Sequence, residues 1–202
     1  TTEIFDYLRL LYARIGVAHC PKTGAPLESF TATRAAQFLV DHYEGDRLEI
    51  LAPLFRPASK HPSLLKHPKE LPEHLSALQQ SGFLRIYVGD KLILFDDWEQ
   101  ESKKLKLTKS VVVWLVVDRV RVSVDEQQRL AESASIAYEQ GIGLFCARRP
   151  DDQKMFWFSE VPGNVQSDYY LTQDLNPRMF SFNSHVGACP DCDGLGEIEL
   201  TG

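Results

Sequence analysis

Apolar positions recur along the chain in two distinct periods. Ile4, Leu8, Leu11 and Ile15 are spaced for one helical face, so a helix is predicted over 3–15 with Gly16 as its stop. Residues 17–30 hold Cys20-Pro21, Gly24 and Pro26 and read as a loop or small knuckle. Thr31 is placed to cap a second helix running through Tyr43, with Ala35, Phe38, Leu39 and His42 on one face, where His42 reads as a core or boundary histidine. From Asp46 to Phe55 the pattern becomes alternating, as in a strand. Residues 56–72 are rich in Pro, His and Lys and read as a surface excursion in which His61 and His67 are solvated, as is His74 beyond it. Pro72 suits the first turn of a helix to Ser81 that buries Leu75 and Leu78. Strands over 83–88 and 91–95 flank Gly89-Asp90, a two-residue hairpin signal of type II′. Residues 98–109 are polar and read as a loop.

The run Val111 to Val117 is apolar throughout and predicts a strand to Val122 with both faces buried. Asp125 opens a helix through Gln140 with Leu130, Ala134 and Ala137 inward. Strands are expected over 143–147 and 155–158, irregular chain over 161–173, and a short apolar strand over 180–183. The middle of the chain therefore reads as α+β: a mostly antiparallel sheet with helices packed on one face.

Composition narrows the class without naming a function. The 202 residues are 44% hydrophobic and 25% charged, with a net charge of -6. These values suit a soluble globular protein and do not support bulk attraction to nucleic acid. No run of about 18 apolar residues is present, so no membrane span is expected. The amino terminus lacks the basic-then-apolar pattern of a signal peptide and starts in what reads as mid-helix, as an excised fragment would. The four cysteines, Cys20, Cys146, Cys189 and Cys192, are few and uneven, which fits free thiols in a cytoplasmic protein better than a disulfide scaffold.

Candidate chemistry is sparse. No G-x-x-x-x-G-K-[ST] phosphate loop occurs, so the stretch should neither bind nor hydrolyse a nucleotide alone. No catalytic constellation emerges, and no catalytic residue is assigned. Cys189-Pro190-Asp191-Cys192 has the spacing of two adjacent zinc ligands, but a closed structural site needs two more. Cys20, His19 and His185 are the candidates for those places; an unmetallated knuckle is the plainer reading. Electrostatics gives the remaining feature. No acid interrupts Phe55 to Lys69, which carries Arg56, Lys60, Lys66 and Lys69, and Arg85 and Lys91 follow on the hairpin. In an acidic chain such a cluster suits docking of an acidic partner; a merely solvated loop is the bland alternative. A second group, Lys103 to Lys109, reads as solvent exposure.

Three stretches resemble the UvrA family of the bacterial ABC excinuclease, which acts in nucleotide-excision repair. They are Thr2-Glu3-Ile4-Phe5-Asp6-Tyr7-Leu8-Arg9-Leu10-Leu11 through Gly16, then Val117-Asp118-Arg119 with Gln128-Arg129-Leu130-Ala131-Glu132-Ser133, and Asn176-Pro177-Arg178-Met179-Phe180-Ser181-Phe182-Asn183 through Gly196. The resemblance implies an insertion within the first ATP-binding half of such a protein, with phosphate loop and ABC signature outside this stretch. It divides the chain into a helical stub over 1–44, a UvrB-interaction domain over 45–160 and a return segment over 161–202, the outer two being partial ATPase-domain segments. It implies docking of a UvrB-type helicase through Arg56, Lys60, Lys66, Lys69, Arg85 and Lys91. ATP, DNA contact and homodimerisation would belong to the parent protein. The alternative is direct nucleic-acid binding by the same basic patch. The sequence departs from the family pattern at Thr23, where a second cysteine is common, and over 161–171, where half of a zinc module is missing. No cofactor is therefore expected in this stretch. Tyr87 replaces a common hairpin arginine, which is compatible with a divergent paralogue whose docking is weakened or retargeted.

Overall fold

A computed structural model describes residues 2–57, 59–171 and 175–197. It divides into two compact units, Glu28–Tyr170 and a second formed by the segments up to Leu27 and from Leu171 onward.

The larger unit is built on one six-stranded sheet in the order β3-β2-β4-β1-β5-β6. Its strands are β1 (Arg47–Phe55), β2 (Arg85–Val88), β3 (Lys91–Leu94), β4 (Val113–Arg121), β5 (Leu144–Arg149) and β6 (Lys154–Ser159). All neighbouring pairs are antiparallel. Gly89 turns the β2–β3 hairpin at φ 60°, and Asp90 does not share a positive φ, which is the type II′ pattern. Pro53 cannot donate to a ladder, yet it lies in a central strand; it stands at a register shift between β1 and β4.

Helices α2 (Ala32–Tyr43) and α5 (Gln127–Gln140) pack together, and α5 lies on β1, β4 and β5. The Thr31 hydroxyl caps α2 by accepting the Arg34 N–H at 3.2 Å. Helix α3 (Leu71–Gln80) adds Leu71, Leu75 and Leu78 to the same core. Strand β4 sends Val113 and Leu115 into this layer and Trp114 and Val116 to the other side, which explains its unbroken apolar run. Phe145 is fully buried, 4.8 Å from the rings of both Phe158 and Tyr138. Burying one such side chain contributes roughly 1.5–3 kcal/mol.

Several expectations are corrected. Residues 98–104 are not a loop but short helical turns, α4 (Trp98–Glu101) followed by a 3-10 turn, because Trp98 is buried and anchors them. His42 is exposed, with its ring stacked on Phe38 at 4.4 Å. His61 is buried rather than solvated, 4.8 Å from the Tyr170 ring. Part of 161–173 forms a two-strand ladder, β7 (Gly163–Asn164) and β8 (Tyr169–Tyr170). Its last residues, 172 and 173, lie outside the described residues, as do 198–202 of the return segment.

In the smaller unit α1 (Thr2–Ile15) meets a 3-10 turn, Pro177–Phe180, where the apolar strand was expected. Asn176 caps that turn by accepting the Arg178 N–H at 3.0 Å, and Pro177 sets its first position. The aromatic spacing serves helix contacts instead: Tyr12 stacks on Phe180 at 5.8 Å and Phe5 meets Phe182 at 6.3 Å. Gly187 packs so tightly that a Cβ would lie 2.6 Å from three carbonyl oxygens.

Candidate docking surface

The six basic positions singled out by sequence have different fates. Arg56 follows the end of β1, its guanidinium 4.8 Å from the centre of the Trp157 ring. It donates to Val165 O at 3.0 Å, the Tyr170 hydroxyl at 3.1 Å and Ser59 Oγ at 3.3 Å, and lies 3.5 Å from Asp168. Asp168 also accepts from Ser59 Oγ at 2.7 Å and from the Lys60 N–H at 2.5 Å. Burial would raise the Asp168 pKa, but these bonds and the Arg56 charge outweigh it and hold the carboxyl below its ordinary value. Burial pushes the His61 pKa down, so at neutral pH this ring adds no charge to the loop.

The basic excursion is thus pinned rather than loose. Leu65 is buried and its N–H reaches Leu54 O at 2.9 Å, and the Glu70 carboxylate accepts the Lys66 N–H at 2.9 Å. Lys60, Lys66 and Lys69 project from it, exposed and without a side-chain partner among the described residues. Lys91 pairs with Glu101, which also takes Lys104 at 3.1 Å. Hydrogen bonds from both lysines keep the Glu101 carboxyl below its usual range. Arg85 is half-buried with no acid partner among the described residues. Because Lys91 pairs with Val88 and Arg85 with Leu94, the hairpin sends the two cations to opposite faces of the sheet. The six therefore do not converge on one patch.

A different constellation was missed by sequence. The face turned away from the helices carries Leu51, Tyr87, Trp114, Val116 and Cys146, and among the described residues no helical side chain joins this cluster. Over it lies Glu49, 4% exposed. Its carboxylate accepts from Arg148 Nε at 2.9 Å and from the Tyr87 hydroxyl at 3.2 Å, and it forms an ion pair with an Arg119 guanidinium nitrogen 2.9 Å away. The Arg148 guanidinium also sits 3.9 Å from the centre of the Tyr87 ring. Tyr87 thus serves as a donor and a stacking surface. The only sequence signal was the alternation Arg47-x-Glu49-x-Leu51 facing Arg119-x-Arg121, which shows a polar second face but not its partners. Under this layer, burial drives the Cys146 thiol pKa up, leaving it an inert apolar group.

Cys189 and Cys192 present a knuckle of the kind that holds metal. Backbone N–H groups of Asp191 and Cys192, then the Cys192 thiol, lower the Cys189 pKa, and the Gly196 N–H reaches Cys192 Sγ at 3.3 Å. Two thiols fill half of a tetrahedral zinc shell. Among the described residues no group of three His, Cys, Asp or Glu side chains is arranged to hold an ion. With Cys20 and Cys146 buried, we expect only Cys189 and Cys192 to react rapidly with a thiol reagent in the folded protein. Fast reaction of a third thiol before unfolding would contradict this arrangement. No helix among the described residues is long and apolar enough to cross a membrane.

The family model described as UvrA interaction domain matches residues 31–151. The UvrABC system protein A of Neisseria meningitidis serogroup A is 37% identical over 199 residues, covering 98% of this chain and 20% of the relative. That of Pseudomonas putida is 38% identical over 205 residues, covering 96% of this chain and 19% of the relative. That of Clostridium tetani is 32% identical over 200 residues, covering 98% and 20%. The chain spans about a fifth of the length of these relatives. The matched span takes in α2, the whole basic excursion, the hairpin and the two central strands, and on that match the chain belongs to the UvrA interaction domain family.

Proposed function

We propose that this chain is the docking module of a UvrA-type nucleotide-excision-repair protein, and that it recruits a UvrB-type helicase without catalysing a reaction itself. Nucleotide hydrolysis and DNA contact would be the work of the parent protein. The observation that carries the reading is a loop pinned by Arg56 and Leu65 that holds Lys60, Lys66 and Lys69 outward with their charges uncommitted. An ordered loop loses little further entropy on binding, and uncommitted cations at an interface rim steer an acidic partner.

The test is calorimetric titration, at low and moderate salt, with the cognate UvrB-type helicase. One-to-one binding that weakens with salt is expected. Reversing Lys60, Lys66 and Lys69 to glutamate should weaken it about tenfold, or ~1.4 kcal/mol. Unchanged affinity would remove the loop from the interface. Absence of binding, with a steeply salt-dependent gel shift on DNA instead, would favour the nucleic-acid reading.

A further inference from the structure

We propose that the smaller unit carries a binding site for a small phosphate monoester, in the cleft between α1 and the turns that follow Asn176. The site lies outside the larger unit and does not depend on the docking-module reading. The cleft has a volume of about 590 Å³, within the ~300–1,000 Å³ usual for small-molecule sites. Helix α1 forms one wall through Asp6, Arg9 and Leu10, and residues 177–185 form the other.

Its one lining carboxylate is already spent. Arg9 pairs with Asp6 and donates from Nη1 to Ser181 Oγ at 2.9 Å. A cation entering the cleft would therefore find the Asp6 charge neutralised. Donors remain in excess. Arg178, Asn183 and His185 line the same cleft, and their side chains have no partner among the described residues. Together they offer a guanidinium fork, a carboxamide N–H₂ and an imidazole N–H. The Ser181 hydroxyl accepts from Arg9 and keeps its own hydrogen to donate.

The backbone holds this wall in place before any ligand arrives. The Ser181 N–H reaches Arg178 O at 3.2 Å, the Ser184 N–H reaches Ser181 O at 3.1 Å, and the Ala188 N–H reaches Ser184 O at 2.7 Å. Little further ordering is needed on binding, which favours affinity.

A tetrahedral oxyanion matches this set. It presents several acceptor oxygens at once, and a guanidinium fork takes two of them together. A planar carboxylate would leave part of the donor set unmatched. Leu10 and Pro177 give the cleft an apolar side, where the organic group of an ester can lie. Of the two arginines in the lining only Arg178 is uncommitted, too little for the row of phosphates along a nucleic-acid strand.

The experiment titrates phenyl phosphate, inorganic phosphate, phenol and a short DNA duplex into the chain by calorimetry, with melting curves for every variant. Saturable binding of phenyl phosphate is expected, several-fold tighter than inorganic phosphate, with none for phenol. Arg178→Gln should weaken phenyl phosphate about tenfold without lowering Tm, because its side chain holds nothing in the free chain. Asn183→Asp removes donors and adds a like charge, so it should weaken binding at least as much. Equal affinity in both variants overturns the site, as does a folded wild-type chain that binds neither phosphate. Phenol binding as tightly as its phosphate would make the cleft merely apolar and overturns the proposal too. Binding of the duplex with no response to phenyl phosphate overturns it in favour of a nucleic-acid contact.

Discussion

Replacing Glu49 with alanine should destabilise the larger unit by about 3–5 kcal/mol, the range for breaking a buried ion pair from one side. The substitution removes the shared partner of Arg148, Arg119 and Tyr87. Arg119 is 40% exposed and can turn to water, so most of the loss should come from Arg148, only 12% exposed, and from the Tyr87 hydroxyl. A change of that size corresponds to a fall in Tm on the order of 10 °C. Urea unfolding followed by tryptophan fluorescence is the direct measurement, because Trp114 and Trp157 lie 5.2 Å apart in the same layer. A loss under about 1 kcal/mol would show that solvent already screens the network. The cost should come from the stranded charge rather than from a missing contact. Glu49→Met combined with Arg148→Met should therefore recover much of the stability lost by Glu49→Ala, since a packed apolar pair needs no desolvation.

Locally determined features were legible in the sequence. The Thr31 cap, the Gly89-Asp90 turn and the inward leucines of α3 each depend on residues a few positions apart, and the structure has them all. The α+β class followed from the same local periods, and the sheet is antiparallel with its helices on one side. What was not legible depends on distant pairing. Strand order places β4 between β2 and β1, and no local pattern reports that. Glu49 and Arg148 are 99 residues apart, so the second face appeared only as alternating polar positions. His61 lies in a polar stretch, but Tyr170, more than a hundred positions away, covers it. The aromatic spacing at Phe180 and Phe182 mimicked a strand because alternation does not record what the rings touch, and here they touch α1. Charge reading was incomplete for the same reason. It found where cations occur but not which are already committed, as Lys91 is to Glu101.

Arg56 is where that distinction has its largest consequence. As a docking cation it would be dispensable to the fold; as placed, it is a clamp between the end of β1 and the segment carrying β7 and β8. Arg56→Ala removes the stacking on Trp157, worth about 1–2 kcal/mol when partly desolvated. It also removes charge-assisted bonds to Val165 O, Tyr170 and Ser59, each about 1.5–3 kcal/mol. These share one side chain and are not additive, so the expected total loss is about 2–4 kcal/mol. Lysine should not rescue it, because a single ammonium cannot span the fork of acceptors and lie flat on the indole. Amide hydrogen exchange should localise the damage, with protection falling across 163–170 and around Ser59 while α2 and α5 keep theirs. If Arg56→Ala instead left stability and exchange unchanged and only weakened partner binding, Arg56 would be a contact residue. The pinned loop would then need another anchor. If stability falls as expected, weaker binding by the variant follows from a loop that no longer holds Lys60, Lys66 and Lys69 in place. A second variant, Asp168→Asn, separates the two cases. It loosens the Ser59 and Lys60 attachments without removing any cation, so it should weaken partner binding only if the order of the loop is what the partner requires.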